Sequence, residues 1–207
     1  MNLILIAPPA AGKGTQSEFI CNHYNLNHLS TGDLLREVAS KDDPKSLEIK
    51  ELMNKGMLIS DEIILDLIEN KIKENEGFVF DGFPRTLNQA VSFDELLKKL
   101  NKKIDKVIYL TVDKEVASQR IAGRYVCPSC GLVYNFKPNE EITPCKCGEA
   151  LIKRKDDNVE TFEKRYDVYM NETFPIIDFY REKGLISEVD SSKTPTEVFD
   201  DIKAVLD

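Results

Sequence analysis

Three groups of residues in this chain have the types and spacing that chemistry needs. The first is Ala10-Ala11-Gly12-Lys13-Gly14-Thr15, small residues around one lysine. Backbone N–H groups in such a loop face a bound anion, the start of a following helix adds its positive end, and the lysine adds a mobile charge. The second is Asp81, which ends the apolar run Phe78-Val79-Phe80 and precedes Gly82-Phe83-Pro84-Arg85. A carboxylate at the C-terminal end of a buried strand is where α/β proteins place ligand and metal groups. Its place after a strand and its distance from the lysine loop suit a residue that holds Mg²⁺ through water. The alternative is a cap for the helix that starts near Thr86. The third group is Cys127-x-x-Cys130-Gly with Cys145-x-Cys147-Gly. Two cysteine knuckles, each followed by glycine, are what a tetrahedral zinc needs from two turns. Four cysteines would fill the coordination sphere, so such a zinc is structural rather than catalytic.

The lysine loop departs from the G-x-x-x-x-G-K pattern, with Ala7 where glycine is usual and alanine again at position 10. Alanine resists positive φ. The loop is therefore expected to keep negative φ at both positions, the alternative being stored strain. The second cysteine knuckle is one residue tighter than the usual C-x-x-C. A disulfide reading of these cysteines fails, because adjacent knuckle cysteines pair poorly and a reducing compartment keeps them as thiols. Cys21 lies in the first helix beside Phe19 and Ile20 and reads as a small buried hydrophobe.

Arginine usage points the same way. Of 28 cationic residues only seven are arginine: Arg36, Arg85, Arg120, Arg124, Arg154, Arg165 and Arg181. A chain that covers its surface with lysine keeps arginine for places that need its rigid fork, as phosphate does. His23 and His28 lack a carboxylate or second histidine at useful spacing and receive no catalytic role.

The elements that must position these groups alternate. Leu3 to Ala7 is a short strand buried on both faces, followed by helix-compatible sequence to Tyr24. His28-Leu29-Ser30 reads as a strand, with a helix from Leu34. The stretch 44–74 reads as helical throughout. In it Ile63, Ile64, Leu67, Ile68 and Ile72 form one apolar stripe behind a cap at Ser60 or Asp61. Strands follow at Phe78 to Phe80, Val107 to Val112 and Leu185 to Val189. Thr194-Pro195-Thr196-Glu197 reads as a capping box with proline at the first helical position. Such alternation predicts an α/β fold with a doubly wound parallel sheet.

The chain has 207 residues, 42% hydrophobic and 31% charged, which suits one domain with a small insertion and excludes disorder. A formal net charge of −8 argues against a nucleic-acid surface and requires any anion site to be locally basic. The apolar start has no basic flank and is too short for a membrane helix, which points to a cytoplasmic protein.

Taken together the motifs resemble adenylate kinase, in the bacterial form with a zinc-bearing lid. The marks are Gly12-Lys13-Gly14-Thr15, Ser30-Thr31-Gly32-Asp33-Leu34-Leu35-Arg36, Asp81-Gly82-Phe83-Pro84-Arg85 with Gln89, Arg120-x-x-Gly123-Arg124, and Arg154-Lys155-Asp156-Asp157 with Arg165. The resemblance covers essentially the whole chain. It implies a five-stranded phosphate-loop core over 1–29, 60–121 and 159–207, an AMP-binding insertion over 30–59, and a zinc-binding lid over 122–158. Adenylate kinase is itself a standard example of lid closure. The same resemblance implies ATP contacts at Ala10, Ala11, Gly12, Lys13, Gly14, Thr15, Arg120, Arg124 and Lys193. AMP contacts are implied at Thr31, Gly32, Arg36, Met57, Ile59, Gly82, Arg85, Gln89, Arg154 and Arg165, with Thr31 and Gln89 reading the adenine edge. Arg154 and Arg165 would reach the transferring phosphoryl group. Lys13, Arg85, Arg120, Arg124, Arg154, Arg165 and Asp81 form the implied catalytic set, and Asp156 and Asp157 would meet the arginines as the lid shuts. The implied cofactors are Mg²⁺ and structural Zn²⁺, the partners ATP, AMP and ADP, and the state a monomer. Two other readings stand beside this one: a kinase of UMP, CMP or GMP, and a zinc-ribbon binding module on an inactive core.

Overall fold

The computed structural model describes residues 1–40, 44–54, 59–154 and 157–207. The first half runs β1 (Asn2–Ile6), α1 (Lys13–Tyr24), β2 (Asn27–Ser30), α2 (Thr31–Ala39), α3 (Pro44–Asn54), α4 (Asp61–Glu74), β3 (Phe78–Asp81) and α5 (Leu87–Lys99). The second half runs β4 (Lys106–Thr111), α6 (Lys114–Ala122), β5 (Arg124–Val126), β6 (Val133–Asn135), α7 (Val159–Val168), a π-helical turn (Tyr169–Thr173), α8 (Ile176–Glu182), β7 (Ile186–Asp190) and α9 (Pro195–Leu206). Five strands pair in the order β2-β3-β1-β4-β7, every pair parallel. This is the predicted sheet.

The apolar runs form the central strands because both of their faces are covered. Leu3, Ile4, Leu5 and Ile6 are 0–2% exposed and split between two cores. Ile4 and Ile6 join Phe80, Phe93 and Ile68 on one face, while Leu3 and Leu5 join Ile20, Val79 and Ile202 on the other. Each such side chain contributes about 1.5–3 kcal/mol by leaving water. Ile64, Ile68 and Ile72 face the first of these cores, as their helical spacing predicted. Cys21 packs against the second, and burial pushes its thiol up to about 11.

The strands lie within one residue of the sequence reading, and two helical readings differ from it. α2 begins at Thr31 rather than Leu34, because Ser30 serves as its cap and accepts the Asp33 N–H at 3.2 Å. The helical stretch from 44 divides into α3 and α4, and Ser60 occupies the cap position of α4 without a side-chain bond. The Thr194–Glu197 capping box and the proline at the start of α9 are present as read. Among the described residues no helix is long and apolar enough to cross a membrane.

Register delivers the site. Asp81 lies opposite Leu5 of β1 and opposite Ser30 of β2, so the C-terminal ends of three strands line up. The lysine loop, Thr31 and Gly82 therefore emerge side by side, in the crevice where open α/β sheets bind ligands. The segment from Arg124 departs from this layering. β5 and β6 form a separate antiparallel pair, extended by a bridge from Val126 to Ile152. Gly123 is required where it joins, since a Cβ there would lie 2.2 Å from the Phe136 carbonyl oxygen.

Candidate active site

The loop after β1 turns sharply at two residues. Gly12, the cap of α1, is left-handed at φ 84 and ψ 15, which glycine adopts freely. Ala10 is also left-handed, at φ 63. The expectation of negative φ thus holds at Ala7 and fails at Ala10. In this conformation Ala10 rests against the small core of Ala117, Ile121 and Phe162. That contact offsets part of a left-handed penalty of about 1–2 kcal/mol. Ala10→Gly would remove the strain, but it would also remove the methyl contact, about 0.8 kcal/mol, and free the unfolded chain by about 0.4–1 kcal/mol. The midpoint of thermal unfolding is therefore expected to stay within about 4 °C of wild type. A larger rise would mean that the methyl contributes nothing.

Asp81 is the hub of the site. Lys13 Nζ lies 3.0 Å from its Oδ1, while Ser17 Oγ donates to Oδ2 at 3.3 Å and His28 Nε2 lies 3.2 Å from the same oxygen. Burial alone would raise the Asp81 carboxyl, but the Lys13 ammonium and His28 outweigh it and hold it well below the usual carboxylate range. It ends β3 and is not a helix cap; Thr86 caps α5 instead, accepting the Gln89 N–H at 3.2 Å. His28 corrects the sequence reading. It has a carboxylate partner after all, brought to it by the β2–β3 register rather than by spacing along the chain.

Cations converge on this hub. Burial, then Arg85 and Arg165, press the Lys13 ammonium below its ordinary pKa, with Asp81 opposing. Burial and Arg36 do the same to Arg85. Groups that depress one another's protonation are brought together only at a cost, and a polyanionic ligand offsets it. Arg85 is held at three points. Its Nε donates to the Gly82 carbonyl at 2.7 Å, its backbone N–H donates to Gln89 Oε1 at 2.7 Å, and its carbonyl accepts from Thr173 Oγ1 at 2.9 Å. Thr173 ends the π-helical turn, a feature common at functional sites, and no sequence motif pointed to it. Gly82 must be glycine, with φ +82 and space that a Cβ would share with Arg85 Nη2 and Thr31 Oγ1 at 2.9 Å.

The expected adenine readers are both engaged. The Thr31 hydroxyl donates to the Gly82 carbonyl at 2.9 Å, and the buried Gln89 amide bridges Arg85 and Asp61. Gly32 lies under the Arg36 guanidinium, which pairs with Asp33 at 2.5 Å, and Ile59 is buried in the first core. Met57 and Asp156 lie outside the described residues.

On the opposite side, Arg120 Nη2 donates to the carbonyls of Ser192 at 3.2 Å and Lys193 at 3.5 Å. The Lys193 side chain pairs with Asp201 at 2.6 Å, so it is the backbone of Lys193 that meets Arg120. Arg124 grips Asp157 with two nitrogens, Nε reaching Oδ2 at 2.7 Å. The Asp157 carboxylate is fully buried by this pair, the first contact of an acid from 156–157 with an arginine of the implied set. Arg154 follows the Val126–Ile152 bridge and is half-buried. Gly14 and Thr15 sit in the first turn of α1 and Ala11 is buried beneath the loop.

The four cysteines come together with their sulfur atoms within 4.8 Å of one another. Cys127 and Cys147 are 3.5 Å apart, and Cys130 and Cys145 3.4 Å. A tetrahedral site with metal–sulfur bonds of about 2.3 Å needs sulfurs about 3.8 Å apart, so the cluster fits. The short knuckle is accommodated by an earlier turn. Gly148 N–H bonds the Cys145 carbonyl at 2.8 Å, three residues back, where Gly131 N–H reaches four back to Cys127 at 3.0 Å. The Cys147 N–H and the Tyr134 hydroxyl, the latter at 3.4 Å, lower the Cys145 thiol towards the thiolate that a metal binds, while the neighbouring sulfurs raise Cys130 and Cys147.

Comparison with known proteins agrees with this geometry. A family model described as adenylate kinase matches residues 5–185. The adenylate kinase of Archaeoglobus fulgidus is 44% identical over 213 residues, covering 100% of this chain and 98% of that protein. That of Clostridium beijerinckii is 42% identical and that of Bacillus licheniformis 41%, each over 212 residues with the same coverage. The cradle, the converging cations and these matches along the whole chain have one explanation: the chain belongs to the adenylate kinase family.

Proposed function

We propose that the chain is an ATP:AMP phosphotransferase, reversibly forming two ADP. The observation that carries this reading is the convergence of Lys13, Arg36, Arg85 and Arg165 on the strand ends, in a chain whose net charge is −8. A phosphate monoester is mostly dianionic at neutral pH and is already a nucleophile, so no general base is needed. Consistent with that, His28 is committed to Asp81. What remains is to hold two polyanions in line and to neutralise charge on the transferring group.

In this reading Lys13 and the amides of Ala10 to Thr15 hold the ATP phosphates, with Arg120, Arg124 and the Lys193 backbone beside them. Arg36 and Arg85 hold the AMP phosphate. Thr31, Gly32, Met57, Ile59, Gly82 and Gln89 surround the AMP nucleoside, and Arg154 and Arg165 reach the phosphoryl group in transit. When bound, Mg²⁺ supplies charge neutralisation between the phosphates. Asp81, kept ionised by Lys13 and His28, is the group that would hold it through water. The core comprises 1–29, 60–121 and 159–207, the AMP insertion 30–59 and the lid 122–158. The lid metal is zinc, chosen by four thiolates. Thiols kept as ligands suit a reducing cytoplasm, and the protein acts as a monomer.

The assembled Lys13 and arginines disfavour an inactive binding module. A coupled assay of ATP with AMP, UMP, CMP and GMP tests the substrate. Rates with UMP or CMP equal to or above that with AMP would overturn the adenine assignment.

A further inference from the structure

The Gln89 amide is wholly buried and is held at both ends. Its Oε1 accepts the Arg85 backbone N–H at 2.7 Å, and its Nε2 donates to Asp61 Oδ1 at 2.6 Å. A backbone N–H can only donate and a carboxylate can only accept. These two partners therefore decide which end of the amide is oxygen. Turned by 180°, the amide would set NH₂ against N–H and a carbonyl oxygen against a carboxylate. A primary amide carries two lone pairs and two N–H bonds, so one acceptor and one donor remain after both contacts are made.

We propose that Asp61 is a specificity-determining positioning residue: it fixes the order in which Gln89 offers that acceptor and donor to the base of the monophosphate. The proposal rests on the assignment of Gln89 to the AMP base given above. Adenine presents an amine donor beside a ring-nitrogen acceptor. Hypoxanthine, with nearly the same outline, presents a carbonyl acceptor beside a ring N–H donor. An amide free to rotate meets either edge by turning over, and so discriminates little between them. A locked amide meets only the first, because with the second its buried groups face like groups and stay unpaired. The two halves of the lock differ in kind. The Arg85 N–H is backbone, anchored in turn by the Thr173 hydroxyl on its own carbonyl. Asp61, the first residue of α4, reaches across to the first turn of α5, and it is the half that a substitution can remove.

The test measures kcat/KM with ATP and either AMP or IMP as acceptor, in wild type, Asp61→Ala, Asp61→Ser and Asp61→Asn. Serine suits the first turn of a helix and its hydroxyl is too short to reach, so it stands in should the alanine variant not fold. In the alanine and serine variants the AMP:IMP ratio is expected to fall at least tenfold. Asparagine, whose Oδ1 still accepts, is expected to keep the ratio within about threefold of wild type. A purely structural role would lower both nucleotides together and leave the ratio unchanged. A ratio within twofold of wild type in alanine and serine, or asparagine behaving as alanine does, overturns the proposal. A wild type that prefers UMP or CMP to AMP instead overturns the reading on which it rests.

Discussion

Arg85→Ala is expected to lower kcat/KM for AMP by about 10²–10³-fold, or roughly 3–4 kcal/mol of transition-state stabilisation, the range found when a preorganised charge-stabilising donor is removed. Three contacts hold Arg85 before any ligand arrives, from the Gly82 carbonyl, Gln89 Oε1 and Thr173 Oγ1. A donor already in place needs no reorganisation when charge develops, which is why its removal is felt in the reaction and not only in binding. Arg85 is also half of a cationic pair with Arg36, whose repulsion costs energy in the free protein and becomes favourable once an anion sits between them. Steady-state kinetics with ATP and AMP decide the matter. A change below threefold, about 0.65 kcal/mol, would mark Arg85 as a surface cation.

The second large effect concerns the metal. Between Tyr125 and Arg154 the buried residues are Val126, Cys127 and Cys145, so two of the three are cysteines of the cluster. Apolar burial on that scale is too little to order some thirty residues, so metal binding is expected to appear there as folding free energy, on the order of 10 kcal/mol for structural zinc. Purified protein is expected to carry one zinc per chain. Its removal by a chelator should melt the β5–β6 pair and lower thermal stability. Activity at moderate temperature should partly survive, because Lys13, Asp81, Arg36 and Arg85 sit on or beside the parallel sheet. Metal analysis with protein isolated without chelator is the measurement, and a stoichiometry near zero would refute the site. Cys145→Ser should weaken zinc binding; unchanged affinity would remove Cys145 alone from the ligand set.

Much of this was legible in the residues. Apolar runs of three to six residues, bounded by Pro, Gly and Asp, marked strands buried on two faces, because no other element short enough hides both sides from water. Gly12-Lys13-Gly14-Thr15 and the cysteine pairs were readable because their partners lie within a few residues along the chain. The readings that failed depend on distant neighbours. Ala10 is left-handed at φ 63 while packed against Ala117, Ile121 and Phe162, residues over a hundred positions away. His28 gains Asp81 through strand pairing, and Thr173 meets Arg85 through a π-helical turn with no composition signal.

The sequence by itself therefore determined the alternation of elements, the glycine–lysine loop between β1 and α1, the thiol cluster and the family, since each is written in local order and local chemistry. Only the tertiary structure decided which groups share an electrostatic environment. Asp81 is held ionised by Lys13 from one loop and His28 from another strand. Gln89 is oriented by Asp61 from a helix that begins 28 residues earlier. Charge and hydrogen bonding act through distances of about 3 Å, and such distances between remote residues exist only once the sheet has fixed its register.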